Sequence, residues 1–160
     1  SGLDIGSSAP SALLQTLDGK TVDLATIAKG PAVIEFWATW CEPCRVELPQ
    51  LAAMERQFPS KDFQLAVISI DEPEFAAEAL RFWTRTKFQG RGYIGSFRDR
   101  NHFIDRVDPR WSGALPALFL YDRSGRLVKT FTGEVSIVEV EQALRAVSAE
   151  PKQNPRVFRE

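Results

Sequence analysis

Apolar residues along this chain form short runs that are separated by segments of helical spacing. Residues 31–39 are almost continuously apolar, which is typical of a β-strand buried on both faces. Residues 63–70 form a second apolar run, rich in β-branched side chains, and predict another strand. Between these runs a helix is predicted from Pro43 to about Phe58, because proline is tolerated in a first helical turn. Pro49 lies deeper and is expected to kink this helix.

Further strands and helices are predicted on either side of this strand–helix–strand unit, which itself implies a parallel pair of strands. The predicted elements are strands at 11–17 and 21–24 joined by an Asp18-Gly19-Lys20 turn, a helix at 74–87, a short strand at 92–97, a short helix at 101–107, a hairpin of strands Ala117–Tyr121 and Leu127–Thr132, and a closing helix at 138–147. This order indicates an α/β fold, with a mixed central β-sheet flanked by helices on both faces and an N-terminal β-hairpin. We expect one domain over residues 1–148 and a C-terminal tail over residues 149–160, where prolines and charges accumulate.

Composition narrows the classes of function. The 160 residues match the usual size of one globular domain, and 44% hydrophobic with 26% charged residues is typical of a folded chain. The net charge is −1 with acids and bases interleaved, so there is no basic face for nucleic acid. No run approaches the roughly 18 consecutive apolar residues of a transmembrane helix. We therefore expect no nucleic-acid partner and no membrane span in this chain.

The two cysteines, Cys41 and Cys44, lie three residues apart. Such a local pair indicates a reactive site rather than a set of disulfides that holds the fold together. Cys41 falls where a buried strand ends and a helix begins, so that backbone N–H groups and the helix dipole favour its thiolate. Cys44 lies on the same helical face and can close a disulfide with it. The sequence predicts that Cys41 attacks a disulfide and that Cys44 resolves the mixed disulfide.

Other uses of the cysteine pair fit less well. A zinc site needs three or four protein ligands, and the only histidine of the chain is His102. Haem attachment through C-x-x-C-H is excluded because Arg45 follows Cys44. Two unreactive core cysteines remain an alternative, but the Trp before the pair and the Pro within it favour redox chemistry. We expect neither a metal nor another cofactor.

One stretch around the cysteine pair carries a family resemblance. It reads Phe36-Trp37-Ala38-Thr39-Trp40-Cys41-Glu42-Pro43-Cys44-Arg45 and is followed by Glu47 and Pro49. It closely resembles the thioredoxin-like proteins of bacterial cytochrome c maturation, of the TlpA and ResA type. Ala9-Pro10, the Asp18-Gly19-Lys20 turn, Gly125 and Gly133 extend the resemblance over most of the chain.

The resemblance implies a thioredoxin-like fold and a thiol–disulfide oxidoreductase that works outside the cytoplasm of a bacterium, either periplasmic or membrane-tethered. It implies a disulfide-containing protein substrate, such as apocytochrome c or a copper-site assembly protein. A membrane thiol donor is the implied source of electrons.

The resemblance also implies a substrate-binding edge. In this family the proline that leads a late strand is cis and faces the redox pair, and Pro116 occupies the matching place. A cis X-Pro bond costs little and exposes the preceding backbone to an extended substrate segment, so Leu115 is expected to contribute backbone hydrogen bonds. A trans proline opening an edge strand is the alternative. The predicted substrate-binding residues are Trp40, Glu42, Pro43, Leu115 and Pro116.

Two glutamates are candidate proton-transfer groups. Glu35 interrupts the apolar strand, where a carboxylate is costly unless it is paired or protonated. Thioredoxins have an acid at the matching position, although the TlpA and ResA type often has Asn, and we interpret Glu35 as a proton acceptor for Cys44. Glu47 lies one turn beyond Cys44 and matches a glutamate that many family members keep. The alternatives are a strand-end carboxylate paired with a surface Lys or Arg for Glu35, and a solvated helix residue for Glu47. The predicted catalytic residues are Cys41, Cys44, Glu35 and Glu47.

The direction of electron flow and two rival functions depend on details of the motif. Glu42 suits a helix N-terminus but repels a thiolate on Cys41, which favours a reductant over an oxidant. A peroxiredoxin would carry a P-x-x-x-T/S-x-x-C signature, which is absent because Thr39 is only two residues before Cys41. A copper-delivery module of this fold would use a C-x-x-x-C spacing with a distant histidine. The sequence therefore favours a reductase of protein disulfides over both rivals.

Overall fold

The structure, a computed structural model, describes residues 2–59, 62–95 and 99–148. Within these ranges the strands are β1 (Leu13–Thr16), β2 (Thr21–Asp23), β3 (Ala32–Trp37), β4 (Gln64–Ser69), β5 (Arg91–Ile94), β6 (Ala117–Tyr121) and β7 (Leu127–Thr132). The α-helices are α1 (Glu42–Glu55), α2 (Ala76–Thr86), α3 (Arg100–Val107) and α4 (Ile137–Ser148), and short 3-10 turns span Leu24–Thr26 and Pro73–Phe75.

The strands form one mixed sheet in the order β2-β1-β5-β4-β3-β6-β7. β3 lies inside this sheet, parallel to β4 and antiparallel to β6, and β5 continues the parallel part. The N-terminal hairpin of β1 and β2 joins through an antiparallel pairing of β1 with β5. The predicted mixed sheet and the hairpin extension are confirmed.

Helices cover both faces of the sheet, as predicted. Consecutive residues of a strand point to opposite faces. The Phe36 ring packs edge-on against Phe103 of α3, with ring centroids 6.0 Å apart, whereas the Trp37 ring packs against Phe82 of α2 at 5.3 Å. α1 contacts both α2 and α4. All six residues of β3 are buried, which explains why the run around this strand is apolar except for Glu35.

Several element boundaries differ from those predicted. α1 continues through Pro49 and ends at Glu55, and its kink at Pro49 stays a prediction. The helix predicted for 74–87 is divided into a 3-10 turn and α2, which ends where Lys87 adopts a left-handed conformation. The end of the strand predicted for 92–97 and the tail at 149–160 lie outside the described residues. Among the described helices, none is long and apolar enough to cross a membrane.

The packing of α1 on the sheet predicts unequal costs for truncating its apolar residues. Leu51 is fully buried, so Leu51→Ala should lower the free energy of unfolding by about 2–5 kcal/mol. Val46 on the same helix is 57% exposed, so Val46→Ala should change it by less than about 0.5 kcal/mol. Urea unfolding of the oxidised protein measures both values. Equal losses for the two variants would show that α1 does not pack as described.

Candidate active site

The cysteine pair lies at the carboxyl end of β3, where the chain turns into α1. Cys41 is the N-cap residue of α1, in an extended conformation with φ −92° and ψ 104°. Its Sγ accepts a hydrogen bond from the backbone N–H of Cys44 at 3.3 Å. A disulfide joins the two residues, whose Cα atoms are 5.3 Å apart. The sulfur of Cys41 therefore occupies the site where a helix N-terminus stabilises negative charge.

The two cysteines differ in accessibility. Cys41 is 6% exposed and Cys44 is fully buried. Trp40, which precedes the pair, is 56% exposed, and Arg100 of α3 lies over its ring at 5.5 Å from the ring centroid. Cys41 thus keeps a small exposed surface next to an exposed aromatic ring, whereas Cys44 has none.

Glu35 and Glu47 form a buried carboxyl pair. Glu35 lies within β3 between Val67 of β4 and Leu118 of β6, and it is fully buried. Glu47 lies on α1, one turn beyond Cys44, and is 4% exposed. No N–H or O–H group of the other described residues donates to any of the four carboxyl oxygens. The two carboxyls neighbour each other, and a hydrogen bond between them requires a proton on one of them.

Burial sets the charge state of this carboxyl pair. Desolvation raises the pKa of Glu35 well above the ordinary 4.5, and the adjacent Glu47 raises it further by charge repulsion and hydrogen bonding. Desolvation raises the pKa of Glu47 to about 7, although its hydrogen bond with Glu35 acts in the opposite direction. Two such carboxyls titrate as one unit. At neutral pH the pair therefore holds at least one proton. Among the described residues, no Lys or Arg forms an ion pair with Glu35, and Glu47 is buried rather than solvated.

An open groove of about 320 Å³ runs between α1 and the segment that follows β7. Its lining residues are Glu42, Pro43, Val46, Glu47, Gln50, Glu134 and Val135. Glu47 thus belongs both to the buried carboxyl pair and to the wall of this groove. Of the two carboxyls, Glu47 is the one that borders the groove.

The Leu115–Pro116 peptide bond is cis, as the family resemblance implied, and the trans alternative is wrong. Ala117 pairs with Phe36 across the β3–β6 ladder, so Pro116 lies at the carboxyl end of β3, the end that leads to Cys41. The Pro116 carbonyl accepts a hydrogen bond from Gly133 at 2.9 Å. Among the described residues, none forms a hydrogen bond with the Leu115 backbone. This backbone is therefore available to an added strand.

Comparison with known proteins identifies the family of this chain. The model of the Redoxin family matches residues 4–147. The chain belongs to the Redoxin family. It is 26% identical over 151 residues to a thiol-disulfide oxidoreductase ResA of Bacillus cereus, covering 91% of this chain and 80% of the relative. It is 28% identical over 131 residues to ResA of Bacillus subtilis, covering 82% and 69%.

Solved structures confirm the thioredoxin-like fold of this Redoxin family member. The crystal structure of a thio-disulfide isomerase from Thermus thermophilus is similar with a TM-score of 0.68 and 31% identity, covering 92% of this chain and 99% of that one. A putative thiol:disulfide interchange protein DsbE from Chlorobium tepidum gives a TM-score of 0.72 at 23% identity, with the same coverage. The predicted resemblance to thioredoxin-like thiol–disulfide oxidoreductases is confirmed.

His102 lies in a different cavity from the cysteine pair. It lines a small cavity with Ser11, Asp99 and Arg106, and this cavity contains neither cysteine. In the described part of the chain, no three His, Cys, Asp or Glu side chains are grouped as metal ligands.

Two carboxylates near the Cys41–Cys44 pair were not predicted from the sequence. Glu134 lines the groove opposite α1, directly after the Gly133 that pairs with Pro116. Asp71 is fully buried just beyond β4 and accepts hydrogen bonds from Thr39. Asp71 could have been found, since it directly follows an apolar run whose carboxyl end lies beside that of β3 in a parallel pair.

The raised pKa values of the carboxyl pair predict that stability decreases with rising pH. Between pH 4.5 and the raised values the folded state binds more protons than the unfolded chain. The stabilisation is therefore complete below pH 4.5 and is lost as the pH passes about 7 and above. Glu47→Gln, which cannot ionise, should reduce this dependence, whereas Glu74→Gln on the exposed turn should leave it unchanged.

Urea midpoints of the oxidised protein at pH 5, 6, 7 and 8 measure this slope. Working in the oxidised state removes the titration of both thiols. Carboxyls whose pKa is lowered, such as that of Asp108 hydrogen-bonded to Arg110, titrate below pH 5 and so do not contribute to this slope. Stability that increases between pH 5 and 8, or an equal slope in Glu47→Gln, would contradict the assigned charge state.

Proposed function

We propose that this protein reduces disulfides in partner proteins, with Cys41 as the attacking thiolate and Cys44 as the resolving thiol. The observation that carries the proposal is the unequal placement of the two sulfurs. Cys41 caps α1 and keeps 6% of its surface exposed, whereas Cys44 is fully buried one turn from Glu47 of the carboxyl pair. The relatives named thiol-disulfide oxidoreductase ResA support the same chemistry.

The reaction has two exchange steps. The Cys41 thiolate attacks one sulfur of the partner disulfide, a mixed disulfide forms, and the other partner sulfur leaves as a thiolate that takes up a proton. Cys44 then loses its proton and attacks the Cys41 sulfur. The Cys41–Cys44 disulfide forms, and the second partner thiolate is released. Two electrons thus pass from the dithiol to the partner.

The second step needs a proton acceptor inside the protein, because the Cys44 thiol is fully buried. Glu47 lies one turn away on the same helix, and its pKa of about 7 suits a general base at neutral pH. Glu35 keeps a proton and donates a hydrogen bond to the ionised form of Glu47. We therefore assign to the carboxyl pair as a whole the role of proton acceptor for Cys44, and Glu47 releases the proton into the groove.

Carboxylates around the redox pair support a reductant. Glu42 lies in the first turn of α1, and it lines the groove together with Glu47 and Glu134. Negative charge at this place disfavours the thiolate of the reduced form, which raises the tendency of the dithiol to give up electrons. The same charges favour a partner segment that carries basic residues near its disulfide.

The substrate segment is proposed to bind in an extended conformation beside the cis-proline. The free Leu115 backbone can pair with it, and Trp40 offers an exposed aromatic surface next to Cys41. Glu42 and Pro43, the other predicted binding residues, line the groove along α1, and Pro116 directly precedes β6. From the family resemblance we infer a protein substrate such as apocytochrome c or a copper-site assembly protein, a membrane thiol donor and a location outside the cytoplasm.

Trapping the mixed disulfide tests the roles of the two cysteines. Reduced wild-type protein should reduce a disulfide-bonded peptide completely, whereas Cys44→Ser should accumulate an adduct on Cys41 because resolution is lost. Cys41→Ser should form no adduct at a comparable rate. Mass spectrometry of the intact chain gives both results. Preferential adducts on Cys44, or turnover of peroxide instead of the peptide disulfide, would refute the proposal.

A second experiment tests the carboxyl pair. Glu47→Gln should slow the resolving step by about 10²-fold, because Cys44 loses its proton acceptor, while the attack of Cys41 stays within a few-fold of wild type. Stopped-flow tryptophan fluorescence with acid quenching separates the two steps. Glu74→Gln serves as the control for removing an exposed carboxylate. An unchanged resolving rate in Glu47→Gln would remove the pair from the mechanism.

A further inference from the structure

A third buried carboxylate, Asp71, lies where β3 and β4 end. The two strands are parallel and their last paired residues are Trp37 and Ser69. Two residues beyond each strand end the chain reaches Thr39 and Asp71, which are therefore neighbours. The last backbone hydrogen bond between the two segments runs from the Ile70 N–H to the Trp37 carbonyl at 2.8 Å. Beyond that hydrogen bond, the Asp71 side chain connects the two segments by binding Thr39.

The Asp71 carboxylate is satisfied by two residues. The Thr39 N–H donates to both of its oxygens at 3.0 Å, and the Thr39 hydroxyl donates to Oδ1 at 2.6 Å. The Ser69 hydroxyl donates to Oδ2 at 2.6 Å. Arg45 of α1 donates to the Thr39 carbonyl at 3.3 Å. Thr39 is thus held at its N–H, its hydroxyl and its carbonyl.

Thr39 controls the position of Cys41. The chain from Ala38 to Cys41 forms a tight turn, closed by a hydrogen bond from the Cys41 N–H to the Ala38 carbonyl at 3.1 Å. Thr39 is the first residue of this turn after Ala38, so its orientation fixes the direction in which the chain leaves β3. Cys41 must arrive with the extended conformation of an N-cap for its sulfur to accept the Cys44 N–H.

We propose that Asp71 is a positioning residue that acts through Thr39 to hold the Cys41 sulfur at the amino end of α1. The inference rests on the proposed role of Cys41 as the attacking thiol and adds a residue outside the redox motif to it. Asp71 itself does not touch the partner. A buried carboxylate is costly unless its hydrogen bonds are complete, and every donor within the described ranges comes from the two segments that it joins.

Asp71 affects the Cys41 thiolate through position and through charge. Loss of each changes the pH needed for alkylation in the opposite direction, so an experiment can separate them. Loss of positioning moves the sulfur away from the helix N-terminus and disfavours the thiolate, so that alkylation of Cys41 requires a higher pH. Loss of a negative charge alone would favour the thiolate and lower that pH. The other charged or titratable groups near the pair, Glu35, Glu42, Arg45, Glu47, Arg100 and Glu134, are the same in every variant.

The experiment measures the rate of Cys41 alkylation by iodoacetamide against pH, using the reduced full chain and peptide mass spectrometry. Asp71→Asn and Thr39→Val should each raise the midpoint of the pH profile by about half a unit, which makes alkylation below the midpoint about three-fold slower. Thr39→Ser keeps the hydroxyl and should match wild type. Asp122→Asn is the matched control, since Asp122 accepts from Ser124 in the turn after β6, at the other end of the sheet.

Two results would overturn the inference. A lower midpoint in Asp71→Asn with no change in Thr39→Val would mean that only the charge matters. Unchanged midpoints with a reduced melting temperature would mean that Asp71 only stabilises the fold. If Asp71→Asn does not fold, the comparison of Thr39→Val with Thr39→Ser decides, because both keep the carboxylate. Faster alkylation of Cys44 than of Cys41 in the wild type would instead overturn the proposed function, and the inference with it.

Discussion

The burial of two carboxyls against each other is the constraint on which the candidate site depends. Glu35 comes from the middle of the sheet and Glu47 from the helix that carries the cysteines, and no other described N–H or O–H group donates to them. A buried site of this kind cannot hold two negative charges, so it retains a proton at neutral pH. Because Cys44 is buried one helical turn from Glu47, we propose that electron transfer through the disulfide is coupled to a proton that the carboxyl pair takes up.

The carboxyl end of the sheet brings the remaining parts of the site together. β3 leads into Cys41, the segment after β4 supplies Asp71, and the segment before β6 supplies the cis-proline Pro116. The segment after β7 adds Glu134 to the groove. Each part comes from a different strand end, so the order of strands in the sheet determines the site. The peripheral hairpin of β1 and β2 extends the sheet on the side away from β3.

The strands and helices could be predicted well because apolar runs and helix starts depend on residues that are close in sequence. The fully buried β3 is apolar except for Glu35, and the position of Cys41 at the start of α1 follows from where that apolar run ends. Glu35 and Glu47 were each identified singly, but their contact depends on how α1 packs on β3, which no local spacing encodes. The position of Asp71 directly after an apolar run is visible in the sequence, but its hydrogen bonds are not, since its donors include Thr39 in another segment. Boundaries were less accurate where capping decides them, as at Lys87.

The proton on the carboxyl pair can be observed directly by infrared spectroscopy of the oxidised protein in heavy water at neutral pH. The account predicts a carbonyl stretch from a protonated carboxyl in the wild type that disappears in the Glu35→Gln, Glu47→Gln double variant. It also predicts that this band persists well above pH 4.5, the ordinary pKa of a glutamate. A neutral-pH spectrum without any protonated carboxyl would show that both glutamates are ionised, and it would contradict the coupling of proton and electron transfer.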